Sequence, residues 1–195
     1  MIFAHGSGSS RFSSRNRFVA GILQRAGFAT LLLDLLTAAE ERIDLHTRQH
    51  RFNVDLLAIR LAEATNWSKD DRDLQSLPIA YFGASTGAAA ALIAAAERPE
   101  TVRAIVSRGG RPDLAGAALS QVRAATLLIV GGNDFQVIEL NEQAFTQLQC
   151  EKSLEIIPGA THLFEEAGAL EKVAGLAARW FDRYVSTKGW AQQIT

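Results

Sequence analysis

Ile79-Ala80-Tyr81-Phe82-Gly83-Ala84-Ser85-Thr86-Gly87, followed at once by the alanine-rich residues 88–96, is the stretch that decides the fold. Residues 79–82 form a short apolar run of strand type. Residues 88–96 are nearly all alanine around Leu92 and Ile93, a helix slim enough to lie close against a sheet. Between them, Gly83-Ala84-Ser85-Thr86-Gly87 matches G-x-S-x-G, a very tight strand-to-helix turn. Such a turn forces the serine into a strained backbone conformation. The flanking glycines remove side chains that would strike the neighbouring strand and helix. The hydroxyl then stands clear, near the positive end of the helix. A serine that merely occupies a glycine-lined turn is the plain alternative, and the strand before and helix after weigh against it.

Outward from this turn, short apolar runs alternate with longer amphipathic stretches, the pattern of βαβ units and a parallel sheet. The other strand candidates are residues 1–4, 29–34, 102–107, 126–131 and 153–157. Thr30-Leu31-Leu32-Leu33 and Leu127-Leu128-Ile129-Val130 suit strands covered by helices on both faces. Leu154-Glu155-Ile156 alternates, as a strand at a sheet edge does. Helical spacing groups Phe18, Ile22 and Ala26 on one face, Phe52, Leu56 and Ile59 on a second. It also aligns Leu170, Val173, Ala177, Trp180 and Tyr184 near the end of the chain. Residues 66–76 read as a polar loop. With no linker or repeat, the expectation is one three-layer α/β/α domain over residues 1–195, with a mostly parallel sheet of about six strands.

Composition limits the partners. The 195 residues are 48% apolar, enough for a real core, and the formal charge is −1. That balance offers no bulk attraction to nucleic acid or an acidic membrane. Cys150 is the only cysteine, so no internal disulfide forms, which suits a reducing cytoplasm. Met1-Ile2-Phe3-Ala4 runs straight into His5-Gly6 without a signal-peptide pattern, and no run reaches the roughly 20 apolar residues that span a bilayer. The expectation is a soluble, cytoplasmic protein with a small-molecule substrate.

A serine hydroxyl is a poor nucleophile until a base takes its proton. His162, in Gly159-Ala160-Thr161-His162-Leu163-Phe164, lies in a loop beyond the last strand candidate, at the carboxyl end where catalysis gathers in such sheets. Asp134, in Gly131-Gly132-Asn133-Asp134, lies just past another strand end; a turn aspartate or helix cap is its plain reading. Taken together, Ser85, Asp134 and His162 each follow a different strand, so the sheet itself would bring them to one edge. Their order is that of a nucleophile, its orienting acid and its base. His5-Gly6-Ser7-Gly8-Ser9-Ser10, after the first strand, can aim backbone N–H groups at a developing negative charge; the amides of Ser7 and Thr86 are the candidates. His5 is read as structural, packed beneath the loop.

Other signals are weaker. His46 and His50 are four apart, but no Glu follows His46 and no third ligand is evident, so no metal site is expected. Arg11, Arg15 and Arg17 follow the Ser7 loop, and Arg108 follows a strand end; a guanidinium at Arg11 or Arg108 could meet an anionic substrate, a solvated face being the alternative. Asn133, Phe135 and Phe164 adjoin the candidate triad and either line the site or, for the phenylalanines, pack in the core. Gly6-Ser7-Gly8 fails G-x-G-x-x-G at Arg11, against a nucleotide site.

On the Ser7 loop, the Ser85 turn, Gly132-Asn133-Asp134 and Gly159-Ala160-Thr161-His162, the chain resembles the α/β-hydrolase superfamily, and within it the small, cap-free dienelactone-hydrolase-like group. The resemblance implies ester or related acyl hydrolysis through an acyl-enzyme, with no cofactor. Dienelactone hydrolase proper uses a cysteine where this chain has Ser85, so its substrate does not transfer. Members also carry two more strands before the oxyanion loop. Their loss would leave residues 29–34 as an apolar edge strand, from which an edge-to-edge homodimer is expected. Two rivals stand beside the esterase: a catalytically silent fold acting as an interaction module, and a thioesterase, amidase or lactonase on the same triad.

Overall fold

Each central strand has apolar residues at successive positions because both faces of the sheet are covered. Tyr81, Ile105 and Leu128 point to one layer, and their neighbours Phe82, Val106 and Ile129 to the other; all six are buried. The computed structural model describes residues 1–185. Its strands are β1 (Ile2–Ala4), β2 (Leu31–Leu32), β3 (Ile79–Ala84), β4 (Val102–Arg108), β5 (Ala125–Gly131) and β6 (Lys152–Ile157). They form one parallel sheet in the order β2-β1-β3-β4-β5-β6. The helices are α1 (Ser14–Arg25), α2 (Ala38–Thr47), α3 (Val54–Asp70), α4 (Thr86–Ala96), α5 (Phe135–Gln147) and α6 (Ala169–Val185), with a 3-10 segment at Pro112–Gln121. α1 and α6 cover one face, through Val19, Leu23, Val173 and Phe181; α3 and α4 pack on the other, through Leu61 and Leu92. This is the three-layer α/β-hydrolase fold, and β6 lies at an edge as its alternation implies.

From β1 the chain moves outward to β2 and then returns across β1 to β3, so the connections leaving β1 and β3 diverge. A crevice at the carboxyl ends of two such strands is where α/β sheets bind ligands. Here it lies between the Ser7 loop and the Ser85 turn.

Several local expectations change. β2 pairs over only two residues instead of spanning 29–34, because the amide of Leu35 turns inward to donate to His5 Nε2 at 3.0 Å. The inward face of α1 is Val19, Ala20 and Leu23, and Phe18 is 38% exposed. In α3 the buried face is Leu57, Ala58 and Leu61; Phe52 precedes the N-cap Asn53, and both Phe52 and Ile59 are exposed. Adjacent apolar triplets compete at helical spacing, and neighbouring elements choose between them. Residues 66–70, read as loop, continue α3, with Ser68 Oγ donating to the Ala64 carbonyl. No helix among the described residues is long and apolar enough to cross a membrane.

Candidate active site

Ser85 has φ 51° and ψ −123°, a conformation L-residues avoid, at a cost of about 1–3 kcal/mol. The surroundings impose it. A methyl group on Gly83 would lie 2.5 Å from Ala88 Cα, and one on Gly87 would lie 2.2 Å from the Ala4 carbonyl oxygen. Only glycine lets β3, α4 and the end of β1 approach this closely. Three main-chain bonds then hold the turn: Ser85 N donates to Arg108 O (3.3 Å), and Ser85 O accepts from Ala88 N (3.0 Å) and Arg111 N (3.1 Å).

Asp134 occupies the N-cap of α5, yet its side chain makes no cap bond. Its Oδ2 instead lies 2.6 Å from His162 Nδ1, the arrangement that holds an imidazole with Nε2 turned away from the carboxylate. His162 and Ser85 both adjoin the end of β4. A methyl on Gly109 would be 3.6 Å from His162 Cε1, and Ser85 N bonds the neighbouring Arg108 carbonyl. The sheet thus gathers the three expected residues at its carboxyl edge, although no hydrogen bond joins Ser85 Oγ to His162. In unliganded hydrolases that bond is often long and tightens with substrate.

The Ser7 loop reaches the same point: a methyl on Gly6 would lie 3.0 Å from Ser85 Cβ. The Ser7 amide is engaged, donating to Thr86 Oγ1 at 3.0 Å. His5 is structural, as expected. Its Nδ1 bonds the Gly6 carbonyl, and its Nε2 accepts from Leu35 N.

The substrate-binding candidates separate. Arg11 forms an ion pair with Asp34 and lies over the Phe12 ring, so its charge is already matched. Arg108 is the opposite case. Its side chain is buried, and its Nε and Nη1 have no hydrogen-bond partner among the described residues. Burial, with a smaller contribution from nearby Arg15, pushes its guanidinium down to about 10. Asn133 ties two loops together, its Nδ2 donating to Gly159 O at 3.0 Å. Phe135 is 71% exposed at the start of α5, beside Asp134. Phe164 is a core residue at 1% exposure, packed with α1 and α6; its positive φ of 56° turns the chain inward after His162.

Sequence reasoning missed α2 and the turn after it, which stand over the Ser7 loop. Ser7 Oγ donates to Arg51 O (3.0 Å), and a cleft of about 150 Å³ runs between Ser7, Asp34, Leu45 and Arg51. The missed signal was Thr37-Ala38-Ala39-Glu40, a capping box in which Thr37 and Glu40 bond each other's backbone amides. His46 lies in α2 and His50 beyond its left-handed end at Arg48, so the two share no helix face. A larger hollow of about 330 Å³, lined by Met1, Phe28, Leu31, Trp67 and Leu74, contains none of the candidate triad.

A family model described as the dienelactone hydrolase family matches residues 12–192. The solved structure of a dienelactone hydrolase from Anabaena variabilis ATCC 29413 is 64% identical, with a TM-score of 0.94, covering 95% of this chain and 86% of that one. Est1E from Butyrivibrio proteoclasticus shares the fold at 17% identity and a TM-score of 0.76, over 93% of this chain and 86% of its own. A Mycobacterium tuberculosis protein (strain ATCC 25618 / H37Rv) that carries a provisional phosphoribosyl transferase name is 59% identical over 181 residues, 93% of this chain. This chain spans 40% of that relative's length.

Proposed function

This chain belongs to the dienelactone hydrolase family, enzymes of the α/β-hydrolase kind, and from that premise we propose that it is a serine hydrolase cleaving small esters. The observation that carries the reading is the 2.6 Å Asp134–His162 bond beside the strained Ser85 turn, on three separate strand ends.

In the proposed mechanism, Ser85 Oγ bonds to the ester carbonyl carbon as its proton passes to His162 Nε2. Asp134 holds the imidazole tautomer and balances its positive charge. The carbonyl oxygen becomes an oxyanion received by the Thr86 amide and by the Ser7 amide, which exchanges its bond to Thr86 Oγ1 for the oxyanion as the charge develops. As the tetrahedral centre collapses, the carbon–oxygen bond to the alcohol breaks, and His162 returns the proton to the leaving oxygen. Water, deprotonated by His162, then releases the acid and restores Ser85. Arg108, a buried cation with no anionic partner among the described residues, favours esters that bring a carboxylate or phosphate of their own.

The test is hydrolysis of p-nitrophenyl acetate and butyrate beside Ser85→Ala. We expect the variant to lose at least about a thousandfold in kcat/KM. A wild type with no activity, or activity indifferent to the change, would remove the serine-hydrolase reading and favour a silent fold.

A further inference from the structure

The Ser7 amide is held by a chain of hydrogen bonds whose far end lies in α2, outside the residues that the proposed hydrolysis uses. The buried Asp44 carboxylate accepts from the amides of His50 (2.7 Å) and Arg51 (3.0 Å) and from Arg51 Nε (2.5 Å). Arg51 Nη2 donates back to the Asp44 carbonyl at 3.1 Å. Burial raises the Asp44 carboxyl, but the bonds from Arg51 and His50 outweigh it and hold the group below its ordinary value. The carboxylate is therefore ionised near neutrality, and every one of these bonds needs it only as an acceptor.

These contacts pin the turn that presents the Arg51 carbonyl, which accepts from Ser7 Oγ at 3.0 Å. A proton count orders the remainder. Ser7 Oγ has given its one proton to Arg51, so the 2.9 Å contact between Ser7 Oγ and Thr86 Oγ1 is a donation from Thr86. Thr86 Oγ1 in turn accepts the Ser7 N–H at 3.0 Å. The network thus runs from Asp44 through Arg51 and Ser7 to the residue beside the nucleophile.

The network acts beside a second hold on the same peptide, whose Gly6 carbonyl accepts from His5 Nδ1 (3.0 Å) and Ser9 N (3.1 Å). On the far side of Ser7, Gly8 at φ 68° leaves the Arg51 contact of Ser7 Oγ to fix the loop. An amide turned away from Ser85 would leave an oxyanion one donor short. We propose that Asp44 is a positioning residue for oxyanion stabilisation, acting through Arg51 and Ser7 Oγ to keep the Ser7 N–H aimed at the Ser85–Thr86 corner. This rests on the serine-hydrolase reading above.

The experiment compares wild type, Asp44→Asn, Ser7→Ala and the double variant. It measures ester turnover, binding of phenylboronic acid (whose Ser85 adduct mimics the oxyanion) and inhibition by the product carboxylate. Each single variant is expected to lose about tenfold to a hundredfold in kcat, with boronate affinity falling in step. Product inhibition should stay within about twofold, since a planar acid does not use the oxyanion site fully, and the double variant should be no worse than the poorer single one. Should Asp44→Asn not fold, Arg51→Met removes the same side-chain bonds, and its coupling to Ser7→Ala is measured in the same way. Strictly additive losses, or single variants that bind boronate like wild type, would overturn the positioning role alone. A wild type that binds no boronate and is unaffected by Ser85→Ala would overturn the hydrolase reading, and the positioning role with it.

Discussion

Arg108 is 7% exposed as a residue, and two of its guanidinium nitrogens meet no acceptor among the described residues. With no anionic partner among the described residues and only the Phe164 ring beneath it at 6.0 Å, this buried ion costs several kcal/mol, so an apolar side chain of similar length should be tolerated by the fold. Arg108→Met is therefore expected to melt no lower than wild type. If the guanidinium receives an anionic substrate, the same change should cut the preference for p-nitrophenyl hemisuccinate over the butyrate about tenfold, the value of one charge-assisted bond. An unchanged preference would make Arg108 structural. Asp44 gives a pH signature. Its carboxyl titrates below 3.8 in the folded chain and at about 3.8 when unfolded, so the stability it adds is present above pH 3.8 and lost as pH falls through the lower folded value. The difference in urea midpoint between wild type and Asp44→Asn should thus hold steady near neutrality and shrink below pH 3.8. The roles open to Ser85, Asp134 and His162 were legible from local motifs. The burial of Phe164 was not, because it depends on a left-handed turn at that residue.

Among the elements, the β3–turn–α4 unit was legible almost residue by residue, since its chemistry is local. Glycines permit the close approach, and alanines make the helix thin. Gly87→Ala tests how tightly it is packed. The new methyl would meet the Ala4 and His5 carbonyl oxygens at 2.2 and 2.5 Å, backbone atoms that cannot swing aside. We expect a loss of about 1–3 kcal/mol, a melting point lower by about 2–12 °C, and reduced turnover as the Ser85 turn shifts. Gly21→Ala is the control. It lies within α1, and its methyl would meet only the Arg25 side chain at 3.7 Å, so stability should hold or rise by about 0.5–1 kcal/mol. The inward faces of α1 and α3 were misread because sequence spacing offers neighbouring apolar triplets, and only contact with the sheet and adjoining helices selects one. α2 was missed although its capping box at residues 37–40 is a local signal, and nothing local said that it would stand against the Ser7 loop.

For the molecule as a whole, β2 is an edge of the sheet, and the apolar hollow containing Phe28, Leu31 and Trp67 adjoins it. Exposed edges beside apolar surface favour pairing between copies, although a strand this short offers few backbone groups. An edge-to-edge homodimer would appear in light scattering as a mass that climbs from 21.1 kDa toward twice that with concentration. A constant 21.1 kDa would remove it.

The sequence alone determined the alternation of strands and helices, and the chain order of Ser85, Asp134 and His162 beyond three separate strands, β3, β5 and β6. Those features rest on short-range causes: apolar runs long enough to be buried on both faces, and glycines where a turn must be tight. The tertiary structure decided the rest. Only the sheet order pairs Ser7 with Thr86 across 79 residues, ties Ser7 to Arg51 across 44, and gives Arg11 its Asp34 while leaving Arg108 with no carboxylate among the described residues. Such partnerships follow from which strands lie side by side and which loops meet above them. That is set by the packing of the whole core and is written in no local stretch of the chain.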